Sequence, residues 1–431
     1  MPDRYSSIFQ VTQVQAMSRP PLKPVASMSE RIVSIDALRG LTILVMIFVN
    51  DLASVPNTPG WMKHAADGAD GMTFVDVVFP AFLFIMGMSI PFAIGRRLEL
   101  GVSRWSVWRH VLIRTLGLLV IGVYMVNTEP IMERNDLATY LWVFLMYAAV
   151  MMVWNDTPRE TGRARQAGLY ARAAGIVILV LLALLYRGEG EPRFLEMQPY
   201  WWGILGLIGW AYLVACTAYI VFRNHPPALM GTMALLYCVF MAGQVDFFAA
   251  VPVIPRYLDI GSMLGSHAAI TVSGVILGMV PRSGPAVRGH GARILWAVVY
   301  GLGLAAAGVM LHALHDVHKM FIISKNAATP PWCLISSALT VWIWAAVYWL
   351  MDAQGWTRWA AVLSPAGRNP LFAYVLAPAI YAALWLLGLG TFYNQTLGNP
   401  FALGLSRAVI FTFAVTGLAG YLCRRGFRLR L

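Results

Sequence analysis

Asp36, Arg39 and Asn50 in the first apolar segment, with His64 and Asp76 just beyond it, are of the types that acid–base and group-transfer chemistry uses. A histidine beside carboxylates titrates near neutral pH and serves as a general base, and His64 stands between Lys63 and the acids Asp67 and Asp70. At about 100° per residue, Arg39 and Asn50 fall within roughly 20° of each other on a helix, with Asp36 on the same side. One face of that helix is therefore polar, and its far end aims at His64. A charged side chain at the centre of a membrane helix costs about 2.5–3.5 kcal/mol, so such a stripe pairs, lines a cavity or works. The bland alternative for His64 is a solvated loop histidine; the polar face leading to it favours the base.

The elements that must position these residues follow from composition. The chain is 59% hydrophobic and only 12% charged, far from a soluble average. Twelve apolar runs, near 32–52, 72–94, 107–126, 139–154, 173–186, 202–222, 227–245, 263–280, 294–311, 331–351, 371–387 and 403–422, are of the length that crosses a hydrocarbon core of ~30 Å. The fourth and fifth are short and the eighth is rich in small residues. The expectation is an all-α polytopic transmembrane helical bundle of about 10–12 spans. With the amino terminus inside, 22 of the 32 lysines and arginines fall in inner segments and seven in outer ones, so both termini are expected to be cytoplasmic. The net charge of +12 then reflects topology, and no nucleic-acid partner is expected. Residues 1–30 read as a flexible cytoplasmic tail, and 31–431 as one transmembrane domain.

Other candidates are weaker. His312, His315 and His318, spaced by three with Asp316 among them, have ligand chemistry, but no partner motif appears elsewhere and no metal is expected. His267 sits among small residues in GSHAAITVSG; it either lines a cavity or bonds within the bundle. Asn369 precedes Pro370 and has at least a capping role. The four cysteines stand singly, without metal or redox spacing. Phosphate-binding glycine motifs and nucleophile elbows are absent.

The segments RIVSIDALRGLTILVMIFVND, GWMKHA, GMTFVDVVFPAFLFIMGMSI, WWGILGLIGWAYLV, GSHAAITVSGVILG, ISKNAATPPW and GRNPLFAYV, in that order, resemble the heparan-α-glucosaminide N-acetyltransferase family and its bacterial branch. The resemblance implies a membrane-embedded acyltransferase of the bacterial cytoplasmic membrane. It would move an acetyl group from acetyl-CoA, held from the cytoplasmic side, to an amino sugar on the opposite face. It places the catalytic histidine at His64, with Asn50 and Asp76 beside it, and implies substrate roles for Lys325, Asn326 and Asn369. Arg39, paired with Asp36, would meet the CoA arm, and Arg96, Arg97, Arg282 and Arg288 would hold its phosphates. Other transmembrane acyltransferases carry a histidine in the slot occupied here by Asn50, which leaves His64 as the substitute. The sequence after His64, AADGADG, is longer and more acidic than the family's, and the large lumenal domain of the animal enzyme has no counterpart. A transporter or exporter of a small polar solute is the competing reading. Whether the chain forms a homodimer stays open.

Overall fold

Segments 32–156, 162–188, 196–223, 225–250, 258–282, 287 and 289–431 are described in the computed structural model. The tail expected at 1–30, Arg288 and the side chain of Arg282 lie outside the described residues. Fourteen α-helices follow one another: α1 Val33–Leu52, α2 Phe74–Glu99, α3 Arg104–Val126, the short α4 Thr128–Met132, α5 Leu137–Trp154, α6 Arg163–Leu185, α7 Ile204–Phe222, α8 Pro226–Gln244, α9 His267–Met279, α10 His290–His312, α11 Pro330–Tyr348, the short α12 Ser364–Arg368, α13 Pro370–Leu386 and α14 Phe401–Arg424. Among the described residues, eleven helices are long and apolar enough to cross a membrane, and α13 is a shorter apolar one. No strand occurs among the described residues. The chain is an all-helical integral membrane protein, and each expected apolar run corresponds to a helix.

Three differences have physical causes. The fifth span starts ten residues before its expected apolar run, because Arg163–Leu185 continues the helix through good helix formers. Arg172 in that extension donates to the Val153 and Asn155 carbonyls at 3.0 and 3.2 Å, satisfying the open end of α5. Second, the eighth span is two-part: a π-helix, Ile260–Ser266, runs into α9. Third, α10 ends at His312, so His315 and His318 lie beyond it and the histidine trio shares no helical face.

α9 forms the middle of the bundle, with every residue from His267 to Gly278 buried. Its partner α2 approaches so closely that a Cβ on Gly87 would meet the Thr271 carbonyl oxygen at 2.0 Å, and one on Gly274 the Phe84 oxygen at 2.0 Å. Such small-residue contacts let membrane helices gain van der Waals packing where no hydrophobic force separates helix from lipid. The outlying α6, α8 and α10 are only 17%, 22% and 22% buried, the pattern of lipid-facing helices. α1 starts where α11 ends, its Val33 and Ser34 amides donating to the Asp352 carboxylate at 3.0 and 3.1 Å. That carboxylate serves as its N-terminal cap.

Candidate active site

The loop between α1 and α2 is folded around one carboxylate. Thr73 caps α2, its hydroxyl accepting from the Val75 amide at 3.2 Å, while Asp76 three residues on reaches back to the Thr73 amide at 3.0 Å. This capping box fixes a side chain that is 1% exposed. The same Asp76 accepts from the Ala65 amide at 3.0 Å, and its other oxygen lies 2.7 Å from His64 Nδ1. A carboxylate accepts only, so Nδ1 is the donor to Asp76, and in the neutral imidazole the lone pair is on Nε2. His64 itself is 46% exposed. A buried acid thus orients an accessible base, the arrangement used to activate nucleophiles.

A second loop, between α10 and α11, closes over the first. The Gly71 amide donates to the Ile323 carbonyl at 2.9 Å, and the Ile323 amide to Asp70 at 2.8 Å. Asn326 donates to Asp67. Lys325 Nζ thereby stands 3.1 Å from His64 Nδ1 and 3.3 Å from Nε2. Burial pushes the Lys325 ammonium below its ordinary pKa, with Asp76 and Asp67 pulling partly the other way. His64, Asp76, Lys325 and Asn326 are therefore brought together, from positions up to 262 residues apart.

The polar stripe of α1 divides. Asp36 and Arg39 pair, and Arg39 Nε donates to the Gly367 carbonyl at 3.0 Å. Asn50 is exposed at the last turn of α1, and the residue the fold buries there is Asp51. Its carboxylate receives Arg407 Nε of α14 at 3.2 Å, the Tyr393 hydroxyl at 2.7 Å and the Tyr381 hydroxyl. Both ends of the ion pair are buried, at 3% and 0% exposure, and Arg407 also lies over the Tyr393 ring. The sequence carried a signal for this pair: an arginine inside the last apolar run, which in a membrane requires a partner.

Two cavities flank α1. One, of about 320 Å³, is lined by Arg39, Arg114, Arg368, Asn369, Tyr212 and Tyr374 among mostly apolar side chains of α1, α2, α3, α7 and α13. Arg114 Nε is buried there without a hydrogen-bond partner. The other, about 410 Å³, lies between α1, α2 and α11 and extends to Thr73. His64 lines neither.

The remaining candidates separate. Asn369 does cap α13, accepting from the Phe372 amide at 3.3 Å, and lines the arginine cavity as well. His267 is buried at the π-to-α junction, its Nδ1 2.8 Å from the Ser262 carbonyl and its ring against Phe79 and Trp332. It shares no hydrogen bond with the His64 group. Arg96 and Arg97 are exposed and outside the arginine cavity, where Arg114 and Arg368 stand instead; Arg114, inside the third apolar run, carried the same signal as Arg407, whereas Arg368 lies in an ordinary-looking loop. His312 lies by Asp70 and stacks on His315, while His318 caps Lys319–Phe321. No cluster of three metal-ligating side chains occurs among the described residues.

Heparan-alpha-glucosaminide N-acetyltransferase of Homo sapiens is 34% identical over 104 residues, covering 24% of this chain and 15% of that protein. The Mus musculus protein of the same name is 35% identical over 102 residues, covering 23% and 15%. The matched stretch thus spans about 15% of the length of these relatives. The family model described as "Domain of unknown function (DUF5009)" matches residues 31–250. That is just over half of the chain, and the chain belongs to this family.

Proposed function

We propose that this chain is a membrane acetyltransferase that moves an acetyl group from acetyl-CoA to an amino sugar. The observation that carries the reading is the hydrogen-bonded set Asp76–His64 with Lys325 at the imidazole edge, supported by the partial likeness to heparan-alpha-glucosaminide N-acetyltransferase. Acetyl-CoA enters on the face where α1 begins, taken as cytoplasmic in the bacterial inner membrane. Its phosphates are anionic, and the arginine cavity offers guanidinium donors from Arg39, Arg114 and Arg368. The unpartnered Arg114 Nε is a donor that an anion would satisfy.

At the other face, the acceptor's amine approaches Nε2 of His64. As nitrogen attacks the thioester carbonyl, His64 takes the amine proton and Asp76 stabilises the imidazolium. Lys325 donates to the developing oxyanion. The C–N bond forms, the C–S bond breaks, and the proton passes from His64 to the departing thiolate. Because His64 lines neither cavity, transfer needs a passage to open between the arginine cavity and the loop.

The test is acetyl-CoA turnover with glucosamine by the full chain in vesicles. His64→Ala must cut turnover by about 10²–10⁴-fold while CoA binding persists. Flux of a solute without CoA consumption would replace the reading with a transporter.

A further inference from the structure

The second cavity has a chemistry opposite to the first. Its wall is Leu38, Leu41, Thr42 and Val45 of α1, Met72 and Thr73 just before α2 with Phe74, Val77, Val78 and Ala81 of α2, and Leu339, Thr340 and Ile343 of α11. The two threonine hydroxyls inside the helices are engaged by their own backbone: Thr42 donates to the Leu38 carbonyl and Thr340 to the Ser336 carbonyl, each at 2.8 Å. The groove therefore presents mostly methyl and methylene groups, with the Thr42 and Thr340 protons already donated within their helices. From Phe74 to Ala81 it follows α2 for about 10 Å at 1.5 Å per residue, along the first turns of a spanning-length helix.

Its upper end reaches the loop that carries His64. Thr73 lines the groove, and its hydroxyl donates to the Lys63 carbonyl at 2.7 Å, next to His64. Phe74, also in the wall, carries Trp61 at 5.8 Å between ring centroids, and the two rings are 38% and 66% exposed. Exposed rings at a groove mouth suit an amphiphile with one apolar and one polar end. The loop that carries His64 also holds Asp67, Asp70 and Asp76, carboxylates of the sign that suits an amine-bearing head group.

We infer, resting on the acetyltransfer reading, that the acceptor is lipid-linked: a long-chain amino-sugar amphiphile whose tail lies in the groove between α1, α2 and α11 and whose head is held at Trp61 and Phe74 beside His64. The donor and acceptor then enter by cavities on opposite sides of α1, one charged and one apolar. Continuity with the His64 site through Thr73, rather than apolarity alone, commits the groove to a substrate and not to bulk lipid.

Two measurements test this with the full chain in phosphatidylcholine vesicles. In the first, Ala81→Trp or Leu339→Trp narrows the groove. The ratio of dodecyl glucosaminide to free glucosamine turnover is expected to fall about tenfold, the scale on which apolar pockets discriminate. An unchanged ratio overturns the inference. In the second, dodecyl glucosaminide with a diazirine on its tail is photolysed on the wild-type protein. Label is expected within 72–81 and 339–343, and excess unlabelled glucosaminide must compete it away. Label that resists competition means a bulk-lipid crevice only and overturns the inference. Absence of acetyl transfer to any acceptor, with competed label intact, would defeat the enzymatic reading and leave the groove assignment standing.

Discussion

His64 and Asp76 are joined by a 2.7 Å hydrogen bond between a side chain that is 46% exposed and one that is 1% exposed. The buried partner is also the third residue of α2 and accepts the backbone amides of Ala65 and Thr73. One carboxylate therefore ends the loop, caps the helix and sets the imidazole tautomer.

This shared role separates two substitutions. His64→Ala is expected to reduce acetyl transfer by about 10²–10⁴-fold, the usual contribution of a general base, with little change in melting temperature. Asp76→Asn is expected to lose comparable activity and also to lower the melting temperature, since an amide replaces a carboxylate acceptor serving several N–H groups. Steady-state turnover and thermal unfolding in detergent, measured side by side, check the split.

Lys325 gives the pH dependence its sign. Burial favours the neutral amine and lowers its pKa, so the ammonium is lost at a lower pH than for a free lysine. If the ammonium donates to the oxyanion, kcat falls on the alkaline side, below the ordinary lysine range. Lys325→Arg should move that limb upward, because a guanidinium stays charged, and Lys325→Met should remove it. A pH–rate profile of the three proteins decides.

Asp51 and Arg407 form a buried pair, and removing one partner leaves an uncompensated charge. Arg407→Ala is expected to cost about 3–5 kcal/mol of stability. The double change Asp51→Asn with Arg407→Gln should cost less than the sum of the two single ones, as coupled residues do. Unfolding in a denaturant series on all four proteins measures the coupling.

The α2–α9 contact tolerates no side chain. Gly87→Ala or Gly274→Ala places a Cβ about where a backbone oxygen now lies, and overpacking of this kind typically costs about 1–3 kcal/mol or more. Folded yield by size exclusion should fall for both, whereas Gly417→Ala in α14, which meets nothing within 4 Å, should behave as wild type.

Arg114 supplies the last prediction. Replacing it with Leu removes a donor from the arginine cavity, and hydrogen bonds to charged groups contribute about 1.5–3 kcal/mol. The dissociation constant for CoA should rise about tenfold or more, while dephospho-CoA, with fewer charges, should be affected less. Equilibrium binding with both ligands checks it.

The helical class and the position of each apolar run were legible in the chain, because hydropathy over some twenty residues is dictated by the thickness of the bilayer. Asp36 and Arg39 were legible as a pair because three residues is less than one helical turn. What lay beyond reach were relationships between distant segments. Asn50 and Asp51 are neighbours on α1, and only the approach of α14 decides that Asp51 is buried against Arg407 while Asn50 is left exposed. That Arg114 and Arg368 share one cavity is decided only by the approach of α3 to the end of α12. The family resemblance gave Lys325 a substrate role but not its place at His64; it arrives there because Asp70 and Gly71 bind the backbone at Ile323. Sequence determines local geometry and which faces must avoid lipid. The distances at which chemistry happens are set by packing, which depends on every helix at once.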